Sequence, residues 1–442
     1  MSFSPQYYEI LEQIQKHMAY QSEISIEEVK KQSIIPAITP KKFSINEVKL
    51  DEQYRVKSRE YLMDGLKIYE DVIDEKWKDF DDDGLCGEWV KVKDMKDTGR
   101  VVLYLFPGGY YTGSSKSSRR IAQKIAEDAE CSVLVIDYRL TPQHQFPAPL
   151  CDVLAAYLYL TNPGPEAGFE PIDPKQIVFA GASAGGGLAV ATALFLRDVG
   201  LPLPAGLVLW SPWVDLTSSM ASQWKPEMNK TDFVSGKLNS RKLGPPSSMS
   251  IEYLKRVKIL SEKINQKKPN VVGHPSFTKV PRFRLYCANE ALAIPYVSPM
   301  LAESLGNLPP ILCQVGSGER FLDSNILFSF KASDPSKFQL PKYATTNFAK
   351  SPFKKPTEVT LEVYDEACHG FQVFSIKRSC DFIKNYTLNE SILDKAEGNS
   401  IDTIAINPNC DIRELDAKFL ECLSWENVGV IPEVEVEIDQ ME

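Results

Sequence analysis

The serine at position 183 is the residue whose surroundings most favour chemistry. It lies between two apolar segments, residues 177–180 and residues 188–196, which predict a buried strand and a packed helix. Gly181 and Gly185 stand two positions before and after Ser183, where a tight strand-to-helix turn has no room for larger side chains. Such a turn exposes the hydroxyl beside the positive end of the helix, where an oxyanion would form. The pattern predicts a nucleophilic serine, although a glycine-rich turn that only packs closely would share it.

A catalytic serine needs a base, and the histidines are few. Serine attacks a carbonyl when a histidine, oriented by a carboxylate, accepts its proton. His369 closely follows residues 357–364, an alternating segment that predicts the last core strand, so it should lie at a strand end beside Ser183. The other three of the four histidines are expected elsewhere: His17 in an N-terminal helix, His144 in a proline-containing loop and His274 in a long insertion.

The orienting acid is expected after another strand. Residues 311–315 form an apolar run that leads through two glycines to Glu319. The resulting chain order of serine, acid and histidine is that of the α/β-hydrolases.

The elements that must position these residues alternate along the chain. Residues 101–106, 131–137 and 207–210 add further apolar runs to the strand before Ser183, and residues 118–129 and 152–160 between them predict helices. Alternating strands and helices favour an α/β fold with a mostly parallel, doubly wound sheet. Ligands bind such sheets at the carboxyl ends of the strands.

The remaining sequence predicts five segments. We expect a helical accessory or cap region of two helical pieces and a loop at 1–85, core segments at 86–216 and 296–395, a cap or lid insertion at 217–295 with a helix near 251–264, and a C-terminal tail at 396–442. Within the second core segment, the basic and proline-containing residues 331–356 predict a flexible insertion. The acidic tail, which has no Lys or Arg after position 418, receives no structural prediction.

Composition excludes several classes of partner. A formal net charge of −9 without a basic stripe argues against nucleic acid and anionic membranes. The nine cysteines form no C-x-x-C pair and indicate neither a disulfide framework nor a zinc site. The N-terminus lacks the apolar core of a signal peptide, and no run approaches 18 apolar residues. These features predict a soluble, cytoplasmic protein with no transmembrane segment, metal or cofactor; peripheral association with lipid surfaces and the oligomeric state stay open.

Several longer motifs resemble a known family. Residues 138–152 (YRLTPQHQFPAPLCD), 181–187 (GASAGGG) and 209–217 (LWSPWVDLT) are similar to the hormone-sensitive lipase family of α/β-hydrolases, in particular fungal esterases that include steryl acetate hydrolases. The resemblance extends over about residues 85–385 and includes LPPILCQVGSGERFLD at 308–323 and EVYDEACHGFQVF at 362–374. It implies an α/β-hydrolase fold with helical cap insertions and a role in lipid metabolism.

The resemblance also implies roles for individual residues. It places the nucleophile at Ser183, the base at His369 and the acid at Glu319. Asp323 matches the second acid of the family motif, and is either an alternative acid or a structural helix cap.

The oxyanion loop departs from the family pattern. The family has a histidine followed by glycines, whereas this chain has Pro107 and then Gly108, Gly109 and Tyr110. Because the required donors are backbone N–H groups, Gly108, Gly109 and Ala184 can still supply the oxyanion hole. Ala182 replaces an aspartate common in relatives.

These observations predict a carboxylesterase that needs only a small-molecule ester substrate. Tyr110, Tyr111 and Trp213 are candidate walls of the substrate site, and their bulk would favour short acyl groups on apolar alcohols, including sterols. The alternative is that these aromatic side chains only pack between the sheet and the cap. Two other functions remain: a catalytically silent receptor or scaffold, and a lipase for longer acyl chains.

Overall fold

A ten-stranded sheet forms the centre of the protein in the computed structural model, which describes residues 4–234, 243–267, 284–344, 350–374, 376–388 and 401–423. The strands are β1 Phe43–Lys49, β2 Cys86–Val92, β3 Val101–Leu105, β4 Ser132–Ile136, β5 Ile177–Ala182, β6 Gly206–Trp210, β7 Ile311–Gly316, β8 Val359–Tyr364, β9 Ile401–Ile406 and β10 Ile412–Glu414. Their order across the sheet is β1-β2-β4-β3-β5-β6-β7-β8-β9-β10. Strands β3 to β9 are parallel, and β1, β2 and β10 pair antiparallel at the edges.

Helices cover this sheet. They are α1 Pro5–Tyr20, α2 Ile26–Ser33, α3 Glu52–Gly65, α4 Ser115–Asp128, α5 Ala148–Thr161, α6 Ala184–Asp198, α7 Met228–Thr231, α8 Ser248–Lys267, α9 Leu322–Ser333 and α10 Lys377–Leu388. Helices α4, α6, α9 and α10 pack directly on the strands, and α5 packs on α3 and α6. Every residue of β3 to β7 is buried, which explains why these strands are continuous apolar runs. The predicted α/β fold with a mostly parallel sheet is confirmed.

The two ends of the sheet differ from the prediction. Residues 1–85 were expected to be helical, but β1 lies within them and pairs with β2. The expectation that residues 357–364 form the last core strand is wrong, because β9 continues the sheet parallel to β8 and β10 follows it. Both additions are partly exposed, so their side chains need not be uniformly apolar.

The N-terminal helices pack on the insertion that follows β6. Ile26 and Val29 of α2 cluster with Tyr111 and with Met249 of α8. The guanidinium of Arg256, also in α8, lies 2.6 Å from the carboxylate of Asp74. The N-terminal region (residues 4–85) and the insertion after β6 are distant in sequence but therefore pack against each other.

The insertion expected from residue 331 begins later than predicted. Helix α9 continues to Ser333, and Lys331 is buried with its ammonium donating a 3.1 Å hydrogen bond to the carbonyl of Met300. Burial lowers the pKa of Lys331 to about 7. Residues 345–349 of this segment lie outside the described residues, as do 235–242, 268–283 with His274, 389–400 and 424–442.

Candidate active site

The backbone at Ser183 has the strained geometry of a nucleophile turn. Ser183 joins β5 to α6 with φ 53° and ψ −121°, a conformation that costs a non-glycine residue about 1–3 kcal/mol. A Cβ atom at Gly181 would lie 2.4 Å from the carbonyl oxygen of Gly185, and one at Gly185 would lie 2.1 Å from that of Leu105. The turn thus requires both glycines, as the sequence predicts.

Hydrogen bonds from the neighbouring strand hold this turn. The N–H of Ser183 donates to the carbonyl of Trp210, at the end of β6, over 2.9 Å. The carbonyl of Ser183 accepts from the N–H of Trp213 at 2.8 Å and from that of Gly187 at 3.0 Å. The serine side chain is consequently presented from a rigid backbone at the carboxyl edge of the sheet.

The loop after β3 lies against the same turn. Its Gly108 and Gly109 have φ of 130° and 59°, values that favour glycine. The carbonyl of Gly108 accepts hydrogen bonds from the N–H groups of Tyr111 (3.0 Å) and Thr112 (3.1 Å), which fixes the shape of the loop. Ala184 is the first residue of α6, where backbone N–H groups have no partner within the helix. Ala184 directly follows Ser183, and the end of β3, just before Gly108 and Gly109, packs against Gly185 two residues after Ser183.

Glu319 and His369 are in contact. Glu319 follows β7, His369 follows β8, and these strands are neighbours in the sheet. Nδ1 of His369 lies 3.5 Å from Oε2 of Glu319, and both side chains are buried. Ser211, which follows β6, donates a 2.8 Å hydrogen bond to the same Oε2. The contact is longer than a normal hydrogen bond, and catalytic hydrogen bonds often tighten only when substrate binds.

Opposing effects set the charges of this pair. Burial lowers the pKa of His369, but the carboxylates of Glu319 and Asp232 outweigh it, so the pKa lies above the ordinary value. Burial raises the pKa of Glu319, and the charge of His369 opposes that rise. The imidazole is therefore biased towards accepting a proton.

Asp323 occupies a different position from Glu319. It lies in the first turn of α9, where Oδ2 accepts a 2.7 Å hydrogen bond from the N–H of Ser222. The N–H of Asp323 in return donates to the hydroxyl of Ser222 at 3.1 Å. These bonds join α9 to the insertion, which favours the structural alternative for Asp323.

A row of aromatic contacts connects the serine turn with the histidine. Trp213, whose backbone binds Ser183, stacks on Phe321 with ring centroids 5.9 Å apart. The ring of Phe321 meets that of His369 edge-on at 4.9 Å. The predicted site residues thus lie at one edge of the sheet within a continuous packed region.

The three aromatic wall candidates differ in their surroundings. Tyr110 is 1% exposed and stacks on Tyr286 at 3.8 Å, as the packing alternative expects. Tyr111 packs against α2. Trp213 is the one of the three that is not buried.

Asp232 is a buried residue near the site, and it was not identified from the sequence. It lies in the insertion after β6 and accepts a hydrogen bond from the N–H of His369 at 3.3 Å. A single aspartate in a segment without periodicity carries no sequence signal. Its partners are backbone N–H groups, which no motif records.

Two of the other three histidines lie within the described residues. His17 lies in α1, and His144 lies in the loop between β4 and α5, where burial lowers its pKa to about 4. Within the described ranges, no three His, Cys, Asp or Glu side chains are grouped to bind a metal ion. No helix in the described part of the chain combines the length and apolarity needed to cross a membrane.

The sheet order, the serine turn and the edge that carries Glu319 and His369 define an α/β-hydrolase fold. A family model described as an alpha/beta hydrolase fold matches residues 102–242. Among solved structures, an esterase from the bacterial hormone-sensitive lipase family matches with a TM-score of 0.56 and 24% identity, over 88% of this chain and 100% of that one. An esterase/lipase from an uncultured bacterium matches with a TM-score of 0.54 and 22% identity, over 86% and 99%.

Sequence relatives agree over a shorter region. An acetyl-hydrolase of Streptomyces hygroscopicus is 42% identical over 140 residues, which is 31% of this chain and 44% of that protein. An esterase of Acinetobacter venetianus is 27% identical over 250 residues, which is 56% of this chain and 66% of that protein. The chain therefore spans less than half the length of the acetyl-hydrolase, and both relatives are bacterial, whereas the sequence motifs resemble fungal esterases.

Proposed function

We propose that this protein is a serine carboxylesterase. The observation that carries the proposal is the buried Glu319–His369 contact at the same sheet edge as the strained turn of Ser183. Relatives named esterase and acetyl-hydrolase support the same reaction class.

In the proposed mechanism, Ser183 is the nucleophile and His369 the base. Because Nδ1 is the ring nitrogen beside Glu319, Nε2 is the nitrogen left to accept the proton of the serine hydroxyl. The serine oxygen attacks the ester carbonyl, and the N–H groups of Gly108, Gly109 and Ala184 stabilise the oxyanion. His369 then protonates the leaving alcohol, which gives an acyl-enzyme. Water, activated by the same imidazole, releases the acid and restores the serine.

For the substrate we propose short-acyl esters of apolar alcohols, sterol acetates among them. The support is steric: Trp213 and Phe321 form a stacked pair between the serine turn and His369, which limits the room beside the reacting carbonyl.

The test of the reaction class is hydrolysis of p-nitrophenyl acetate by the purified chain and by its Ser183→Ala variant. We expect turnover in the first and a loss of several orders of magnitude in the second, since the nucleophile and its proton transfer are both removed. The Ser58→Ala variant, which removes a buried α3 hydroxyl that donates to the carbonyl of Cys151, lies outside the proposed triad and its loops, serves as the control and should stay active. A folded chain that binds the ester without turnover would support the receptor alternative, and full activity of Ser183→Ala would remove the assignment.

A further inference from the structure

The carboxylate of Asp232 is held entirely by backbone groups. It is 3% exposed. Oδ1 accepts hydrogen bonds from the N–H groups of Phe233 (2.8 Å), Val234 (3.3 Å) and His369 (3.3 Å), and Oδ2 accepts from that of Arg320 (2.9 Å). Two of these donors belong to the loop of Asp232 itself, and the other two belong to separate parts of the chain.

Those two donors lie in the loops that carry the proposed acid and the proposed base. Arg320 directly follows Glu319, in the loop after β7, and His369 lies in the loop after β8. We call the loop that carries Glu319 the acid loop and the loop that carries His369 the base loop. The side chain of Asp232, from the insertion, therefore bonds to the acid loop through one oxygen and to the base loop through the other. Since Glu319 and His369 approach only to 3.5 Å, the relative position of these loops determines whether the two side chains form a hydrogen bond of normal length.

Further bonds hold Asp232 in place from its own side. Its carbonyl accepts a 2.9 Å hydrogen bond from the side-chain amide of Gln15 in α1. Thr231, its neighbour, donates to the carbonyl of Gly318, just before Glu319, at 2.7 Å. The Arg320 guanidinium turns away to the carbonyls of Val234 (2.8 Å) and Gln223 (2.7 Å). The carboxylate is thus held rigidly in a buried environment; burial raises its pKa, and the charge of His369 and the backbone N–H donors oppose that rise.

We propose that Asp232 is a positioning residue, which aligns the Glu319 and His369 loops and whose fixed negative charge stabilises the imidazolium formed when His369 takes the serine proton. This inference rests on the proposed esterase function. A buried charge acts strongly over short distances because little water screens it.

The groups that face Asp232 determine how the pH profile of kcat/KM changes when the charge of Asp232 is removed. They are His369, the second carboxylate Glu319, the guanidinium of Arg320 and the thiol of Cys368. Asp232 raises the pKa of His369 in concert with Glu319, against the effect of burial. Removing this charge while keeping Glu319 should therefore lower the pH at which the base becomes protonated.

The experiment uses Asp232→Asn in the full chain, with Asp215→Asn as the matched control. Asp215 is an equally buried aspartate of the same region, and it accepts hydrogen bonds from the N–H groups of Thr217 and Ser219 (2.9 and 2.8 Å). For Asp232→Asn we expect kcat for p-nitrophenyl acetate to fall on the order of tenfold to a hundredfold with little change in KM, because the loops lose their alignment. The acidic limb of kcat/KM should move to lower pH. Asp215→Asn should leave that limb in place, whatever it does to the unfolding temperature.

A folded Asp232→Asn enzyme with the wild-type acidic limb overturns the inference, and so does an equal shift in Asp215→Asn. If Asp232→Asn does not fold, Asp232→Glu replaces it: this variant keeps the charge but lengthens the side chain, so kcat should fall while the acidic limb stays. Wild-type kcat in Asp232→Glu would then overturn the positioning role.

A readout without catalysis separates this inference from the proposed function. The imidazole of His369 can be titrated by NMR in Ser183→Ala and in Ser183→Ala/Asp232→Asn, and the second protein should show the lower pKa. An unchanged pKa overturns the charge effect even if the chain hydrolyses no ester. Absence of hydrolysis by the wild-type chain counts only against the proposed function.

Discussion

The hydroxyl of Tyr7, near the start of α1, accepts a 2.7 Å hydrogen bond from the backbone N–H of Cys368, the residue directly before His369. The next residue of the helix, Tyr8, donates to the carboxylate of Glu366 at 3.2 Å. An N-terminal helix, more than 350 positions away in sequence, thus binds the loop that carries the proposed base.

Replacing Tyr7 with Phe tests the importance of this contact. The change leaves the buried N–H of Cys368 without its acceptor, which costs about 1–3 kcal/mol. We expect a lower unfolding free energy in urea and a kcat that falls more than KM rises, since His369 is less well held. Tyr8→Phe, which removes an exposed hydrogen bond, is the control and should resemble the wild type in both measurements. Equal kcat values for all three proteins would show that the helix does not position the base.

Glu319 and Asp323 can be separated by their amide variants. Glu319→Gln removes the charge beside Nδ1 of His369, and loss of the orienting carboxylate costs on the order of 10⁴ in kcat in well-studied triads. Asp323→Asn should reduce stability more than activity, because its bonds are to Ser222. Steady-state kinetics together with thermal unfolding distinguish the two. If Asp323→Asn loses most of its kcat while Glu319→Gln keeps nearly the wild-type value, Asp323 rather than Glu319 is the orienting acid.

The pH dependence follows from the raised pKa of His369. A general base must be neutral, so kcat/KM should rise with pH and reach half its plateau above the ordinary imidazole value of 6.5. In Glu319→Gln, the residual activity should show a lower midpoint, because a carboxylate that favours the imidazolium is gone. Profiles measured with p-nitrophenyl acetate at constant ionic strength check both statements. A wild-type midpoint below 6.5 would contradict the first.

Gly185 tests the packing behind the nucleophile. A methyl group there would lie 2.1 Å from the carbonyl oxygen of Leu105, so Gly185→Ala must displace either the serine turn or the end of β3. We expect a destabilisation of roughly 1–3 kcal/mol and a large loss of kcat. Gly164→Ala is the comparison, since the nearest atom to its methyl group is a side-chain hydroxyl at 3.3 Å. Similar activity of the two variants would mean that the turn tolerates movement.

Substrate preference is tested by competition among esters. We expect p-nitrophenyl acetate to be cleaved faster than butyrate, and butyrate far faster than long-chain esters, because of the aromatic rings beside the site. Among alcohols, a sterol acetate should compete with the nitrophenyl ester. Trp213→Ala removes one ring of the stacked pair and should raise relative activity on longer acyl groups. Preference of the wild type for long acyl chains would favour the lipase alternative.

The sequence predicted the centre of this fold better than its margins. Ile177, Val178 and Phe179 lie in a strand that is covered on both faces, so their apolar side chains indicate burial directly. Strand β1 pairs on one side only and alternates imperfectly, so its residues 43–49 resemble a polar loop. Strand β9 is recognisable only through its pairing with β8, a contact between segments that are distant in sequence.

The same distinction applies to the site. Gly181, Ser183 and Gly185 are fixed by local geometry, and a short motif captures local geometry. Glu319 and His369 could be proposed as acid and base because each follows a strand whose position in the sheet could be inferred. Asp232 acts through backbone groups of Arg320 and His369, and no residue type records such a bond. Its role becomes visible only when the loops are placed in three dimensions.

The pairing of β9 and β10 with the sheet also has a consequence for synthesis. Asp365, in the loop that leads to His369, donates its N–H to the carbonyl of Ile406 at 2.8 Å, and its carboxylate receives two 2.9 Å hydrogen bonds from Arg413. The loop that carries His369 is therefore held both by α1, which precedes it in the chain, and by β9 and β10, which follow it. A growing chain leaves the ribosome from its N-terminus. The loop that carries His369 acquires these contacts only after Arg413 has emerged, so the proposed esterase activity should appear only after synthesis has passed Arg413.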